Sequence, residues 1–167
     1  MLMEPELLYF KDDGVIPNNK LPVVIYRKVT EETGNRAAQW LEDRFASHDW
    51  TNSWRNGVYP FHHYHSTSHE VLGIYSGQAQ LQLGGEKGQV LSVQAGDVLI
   101  LPAGTGHKKI EASTDFGVVG AYPQGKDWDL LKGEKGERPQ ADQNIAALEL
   151  PAKDPVYGDW RITSWQK

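Results

Sequence analysis

The chain has 167 residues, 39% hydrophobic and 23% charged, which suits one folded domain with an adequate core and argues against disorder. Its formal net charge of −5 argues against a nucleic-acid partner, which needs clustered Lys and Arg, and the short tract Lys108-Lys109 is too small to supply one. There is no cysteine, so disulfides and thiolate metal sites are excluded and any metal must be held by nitrogen and oxygen.

The opening MLMEPELLYFKDDG is acidic, with no basic n-region and no apolar h-region, so no signal peptide is expected there. No apolar run approaches the ~20 residues of a membrane span, so no membrane association is expected and a cytoplasmic location is the default. Residues 1–29 read as an extended arm. Leu21 to Tyr26 is apolar and β-branched, Pro17 and Pro22 exclude a helix, and Pro22 marks a strand start or a sheet edge. Residues 31–47 carry the helical pattern. Thr30 is the expected cap, Glu31 and Glu32 follow in the first turn, and Ala37, Ala38, Trp40, Leu41 and Phe45 make an apolar stripe for packing.

From Gly57 to Tyr122 short strands alternate with glycine turns. Val58–His65 reads as the first of them and Glu70 begins the next, with Leu72 and Ile74 on its face. Gln78–Leu83 alternates with Ala79, Leu81 and Leu83 inward, and Gly84–Gly88 is a hairpin loop followed by Leu91 and Val93 on the inner face. Val98–Leu101 is a buried strand stopped by Pro102, and Phe116–Tyr122 is a further strand. Strands at this spacing predict an all-β antiparallel sandwich or barrel. Residues 123–141 read as loop, Ile145–Leu150 as another strand, and Asp154–Gly158 as a turn. The six tryptophans (40, 50, 54, 128, 160 and 165) lie outside 57–122, so the flanks are expected to dock on the barrel or on a second subunit, with Trp50 and Trp54 in packing roles. The organisation expected is one domain over 1–167: a core at 57–122, an N-terminal arm and helix at 1–56, and a C-terminal wrapping tail at 123–167.

On a strand, His63 and His65 share one face, with Tyr59 and Phe61, while His62 and Tyr64 take the other. The polar turn Ser66-Thr67-Ser68 then returns Glu70 beside the two imidazoles, and His107 follows a Pro-x-Gly turn at the start of its own strand. Three neutral nitrogens and one anionic oxygen suit a divalent transition metal: Fe, Mn, Ni, Co, Cu or Zn. His69 either replaces Glu70 or hydrogen-bonds to it, although alternation turns it away. Tyr59 and Phe61 either line the pocket or pack in the core. Lys109 and Glu111 share the parity of His107, a conflict that a bulge near Gly106 would resolve.

These residues resemble the cupin superfamily. Its first motif, G-x5-H-x-H-x4-E-x6-G, is met by Gly57, His63, His65, Glu70 and Gly77. Its second, G-x5-P-x-G-x2-H-x3-N, is met by Gly96, Pro102, Gly104 and His107, with Glu111 where the family usually has Asn. The resemblance implies a double-stranded β-helix, or jelly-roll barrel, with metal ligands His63, His65, Glu70 and His107. The flanks YFKDDGVIPNN, GAYP and DPVYG are similar to the YjlB-like group of small bacterial cupins. The implied function is a metal-dependent enzyme on a small-molecule ligand, of dioxygenase, isomerase or decarboxylase class. The alternative is a non-catalytic module that binds a metabolite or metal. His69 or Glu111 would serve as acid or base if either reached the cavity. Family and flanks together imply a homodimer.

Overall fold

The computed structural model describes residues 4–166; Met1–Met3, the first residues of the expected arm, and Lys167 lie outside it. Nine strands form two antiparallel sheets. In chain order they are β1 (Glu6–Phe10), β2 (Asn19–Tyr26), β3 (Trp50–Asn56), β4 (Glu70–Ser76), β5 (Gln78–Leu83), β6 (Gln89–Gln94), β7 (Val98–Leu101), β8 (His107–Ala112) and β9 (Gly117–Pro123). The larger sheet runs β1-β2-β7-β4-β9-β3 and the smaller β6-β5-β8, the antiparallel sandwich expected from the strand spacing and the jelly roll that the resemblance implies. The extended N-terminal arm joins the larger sheet as β1 and β2, and β3, which follows the helix, forms its opposite edge.

The runs VVIY, VLIL and VVGAY are apolar throughout because both faces of the larger sheet are covered. Val23, Ile25, Leu72, Leu99, Leu101 and Val118 point between the sheets and meet Leu81 and Leu83. Their neighbours Val24, Tyr26, Val71, Ile100 and Val119 face outward, onto Leu41 and Phe45 of the helix α1 (Gly34–Ser47) and onto Trp50 and Trp165. The tail closes this outer layer through polar ties: Trp165 Nε1 donates to Pro22 O at 2.9 Å and Tyr26 Oη to Asp154 Oδ2 at 2.5 Å. Trp50, Trp160 and Trp165 are thus buried within their own chain.

Four local expectations need correction. The helix starts at Gly34, not at residue 31, because Gly34 has φ +63°; Thr30 instead accepts the N–H of Glu32 in a turn of its own. Pro22 neither starts nor edges its strand. It sits where the β1–β2 register shifts between Leu8 and Phe10, so its missing N–H interrupts no ladder. Residues 140–147 are a helix, α2 (Gln140–Ala147), which replaces part of the expected loop and the first residues of the expected strand at 145–150. The bulge in β8 falls at Ile110, not near Gly106: Leu81 pairs with Lys109 and Gln80 with Glu111, leaving Ile110 unpaired and exposed. No helix among the described residues is long and apolar enough to cross a membrane.

Candidate metal centre

The segment from Val58 to His65 is not a regular strand. Pro60 lacks a donor, and the chain is held by isolated bridges instead. His63 and His107 exchange both backbone hydrogen bonds (2.9 and 3.2 Å), which fastens the two histidine-bearing segments to each other. Tyr64 does the same with Leu131 (2.9 and 3.0 Å). The alternation nonetheless survives: Tyr59, Phe61 and His63 lie together, with Tyr59 and Phe61 stacked at 5.0 Å and Tyr59 edge-on to His63 at 5.2 Å. Tyr64 points away and is fully buried beneath Leu131 and Ala141. His62 also points away and meets Glu86 Oε1 at 2.9 Å.

The three imidazoles of His63, His65 and His107 come together and are buried, with one nitrogen of each within 4.8 Å of the others. Every Nδ1 in the group faces a backbone carbonyl: His63 to Phe61 O at 3.0 Å, His65 to Asp129 O at 2.5 Å, and His107 to Thr105 O at 3.0 Å. A carbonyl only accepts, so each Nδ1 carries the proton and each Nε2 is left with a lone pair turned inward. The loop at 123–139 contributes to this lock. Asp129 accepts from Ser66 N at 2.6 Å and Ser66 Oγ at 2.5 Å, and its carbonyl takes His65.

Glu70, first residue of β4, joins the cluster. Tyr122 Oη donates to its Oε2 at 2.8 Å and itself accepts from Trp54 Nε1 at 2.7 Å. Its buried Oε1 has no hydrogen-bond partner, yet stands 3.4 Å from His65 Nε2 and 3.3 Å from His107 Nε2. Three acceptors face one another at a spacing that two donors on one ion about 2.1 Å away would adopt. A divalent cation relieves such an arrangement, as does a proton taken up by His65. The proton affinities express the same field. Burial pushes the Glu70 carboxyl up, but His65 and His107 hold it well below the usual carboxylate range. Burial lowers His65, but Glu70 outweighs this and raises it overall. Burial and the adjacent His107 lower His63 to about 3, so it stays neutral, as a metal ligand must. The donor set and the orphaned oxygen fit a divalent transition metal.

A cavity of about 450 Å³ opens onto this group, walled by Trp54, Tyr59, Leu72, Lys109, Tyr122 and Trp128. Three of these residues, Trp54, Tyr122 and Trp128, lie outside the site expected from sequence. Trp54, expected in a packing role, reaches the wall because β3 shifts register between Thr51 and Trp54 and because its partner Gly120 has no side chain; a Cβ there would stand 2.2 Å from the indole. Tyr122 and Trp128 stack at 5.6 Å, and Trp128 lies 5.2 Å from His65. The signal available for Trp54 is the lone glycine inside VVGAY, which marks close approach on a strand.

His69 and Glu111 do not reach the cavity. The imidazole of His69 faces the opposite layer, where Nδ1 accepts the Ala103 N–H at 2.9 Å and the ring meets Trp165 edge-on at 5.1 Å. Burial lowers its pKa to about 4. Glu111 lies beyond the Ile110 bulge, beside Arg27 and Gln80 in a separate polar groove.

Compared with known proteins, the chain is 43% identical over 160 residues to the uncharacterized protein YjlB of Bacillus subtilis (strain 168), covering 95% of this chain and 93% of that one. No family model matches. Among solved structures it is similar to the acireductone dioxygenase of Bacillus anthracis, solved with a cadmium ion in its active center (15% identity, 66% of this chain and 78% of that chain, TM-score 0.39). It is also similar to a DUF861 family protein of Thermotoga maritima (22% identity, 60% and 96%, TM-score 0.33).

Proposed function

The chain belongs to the same family as the YjlB protein of Bacillus subtilis, and we propose that it is a small metal-binding cupin in which His63, His65, Glu70 and His107 hold one divalent transition ion at which a small molecule is transformed. The observations behind the ligand set are the gathering of the three imidazoles and the unpartnered Glu70 Oε1, which faces the Nε2 atoms of His65 and His107. A bound ion would supply Lewis acidity, or redox chemistry with dioxygen, according to its identity. The chain's own groups do the rest. The three carbonyls fix the imidazole tautomers, and Tyr122 turns Glu70 so that Oε1 faces the histidines. The walls of Trp54, Leu72 and Trp128 exclude water from one side of the substrate. With His69 and Glu111 outside, the residues lining the cavity, besides the proposed ligands, that carry an acidic or basic proton are Tyr59, Lys109 and, nearest Glu70, Tyr122 with its hydroxyl. Burial and the Glu70 charge keep that hydroxyl protonated. The reaction class we propose is dioxygenation, isomerisation or decarboxylation. The protein so read is cytoplasmic and homodimeric; light scattering that shows a monomer at micromolar concentration removes the assembly part.

Elemental analysis tests the site. Wild-type protein should retain close to one ion per chain, and His63→Ala/His65→Ala at least about tenfold less. Equal metal content in the two proteins refutes the assignment. Metal-replete protein is then assayed for oxygen uptake and for turnover of diketones, catechols, thiols and sugar phosphates. Silence throughout, with saturable binding of one compound, favours a binding module over an enzyme.

A further inference from the structure

The lining of the cavity narrows the class of compound that enters it. Tyr59 lies against His63 and Trp128 against His65, each at 5.2 Å, so the two rings flank the histidine group. They are also 47% and 37% exposed, and of the three exposed aromatic side chains among the described residues, two stand at this one mouth. Aromatic surface left open beside a polar centre is the usual signature of a ligand's flat face.

Charge at the mouth is equally one-sided. Among the residues lining the cavity, Lys109 is the one Lys or Arg and Glu70 the one carboxylate, and Glu70 is engaged by Tyr122 and the histidines. The backbone N–H of Lys109 is held by Tyr59 O at 2.9 Å, which fixes the residue at the rim. Its ammonium enters no ion pair among the described residues. Lys132 stands nearby, its Nζ 4.9 Å over the Phe61 ring that stacks on Tyr59. In a chain of net charge −5, this mouth therefore presents cations. A lone ammonium is a point charge. It lacks the bidentate Arg fork or the helix N-terminus that a phosphate dianion typically recruits, and neither lines this cavity.

We infer that the cavity binds a small aromatic carboxylate, its ring against Tyr59 and Trp128 and its carboxylate on Lys109. The inference rests on the proposed use of this cavity as the site of action, and Lys109 acts in it as the residue that selects for negative charge. A volume of about 450 Å³ lies in the range of small-molecule sites.

The test titrates zinc-loaded full-length protein with phenylacetate and with its neutral isostere phenylacetamide, read by tryptophan fluorescence and calorimetry. Wild type should bind phenylacetate saturably and phenylacetamide about tenfold more weakly, the worth of one charge-assisted hydrogen bond. Lys109→Met should abolish that preference and Lys109→Arg should keep it, with zinc content and Tm equal in all three. Trp128→Ala should weaken both ligands alike. Equal affinity for acid and amide in wild type overturns the inference. So does a preference that survives in Lys109→Met, since the ion rather than the lysine would then read the charge. Absence of saturable binding by both phenylacetate and 3-phenylpropionate also overturns it. Zinc content in the same samples separates the two readings: a chain that takes up no zinc defeats the metal site, whereas a loaded chain indifferent to Lys109 defeats only the substrate class.

Discussion

Two buried histidine environments lie on opposite faces of the same sheet, and they use the imidazole in opposite senses. In the cavity, His63, His65 and His107 each donate from Nδ1 to a carbonyl and turn an Nε2 lone pair inward. Across the sheet, His69 accepts at Nδ1 from Ala103 N–H, so its proton sits on Nε2 and it offers no lone pair to an ion. His69 and Glu70 are sequence neighbours, and strand alternation alone sends one to each face. His48 shows that the donor lock is not sufficient by itself: its Nδ1 also donates to a carbonyl, Pro155 O at 3.0 Å, but no other imidazole meets it. On the proposed assignment, the ligand histidines combine a fixed tautomer with convergence, whereas His48 and His69 have at most the first.

That contrast breaks most visibly at the level of bound metal. His107→Ala should lose at least about tenfold in metal content with the fold kept, since a three-donor remnant chelates poorly. His69→Ala should leave the metal content unchanged. It should instead lower Tm by about 5 °C, because the Ala103 N–H loses its acceptor and Trp165 loses an edge contact. Elemental analysis and thermal melts on the pair of variants decide the matter; metal loss in His69→Ala would erase the distinction between the two faces.

A smaller effect is expected at the contact behind Glu70. Tyr122→Phe keeps the ring stacked on Trp128 but removes both the donor to Glu70 Oε2 and the acceptor of Trp54 Nε1. Metal affinity, measured by competition with a chromophoric chelator, should fall about tenfold, the usual cost of freeing a ligand's supporting partner. An unchanged affinity would mean that burial alone orients the carboxylate.

How much of this is legible in the sequence varies by residue. His63 and His65 share a face by alternation even in an irregular segment, and Glu70 and His107 begin strands as expected. Ala37, Ala38, Leu41 and Phe45 are buried as the helical stripe requires. Trp54 escapes the pattern because its orientation depends on the register shift after Thr51, where Asn52 adopts φ +61°, and no period-2 argument crosses a shift. The parity conflict of His107, Lys109 and Glu111 is a true signal that points to the wrong residue. The bulge follows Lys109, so Lys109 stays with His107 at the cavity while Glu111 leaves it. The Asp129 carbonyl on His65 belongs to a loop over sixty residues away, fixed by Ser66 and Thr67 contacts that local pattern does not encode.

The smallest expected effect sharpens the comparison from the His69 side. The groove there, about 840 Å³ and mostly apolar, is bounded by Asp12 of the N-terminal arm and Asp142 of α2, and Arg138 bridges the two. Arg138 holds the Asp12 carboxyl down to about 2, against an ordinary value of 3.8. The sign follows from linkage. A depressed folded-state pKa adds stability that is fully present above about pH 4 and is lost as the pH falls through about 2. Both carboxylates are substantially exposed, so the contribution is modest and screened by salt. The Tm difference between wild type and Arg138→Ala should therefore be constant from neutral pH to about pH 4 and shrink toward pH 2, more visibly at low ionic strength. Metal content should not change, because the clamp closes the face that holds no inward lone pairs. A Tm difference independent of pH would show that Arg138 acts through packing of its stem rather than through the ion pair.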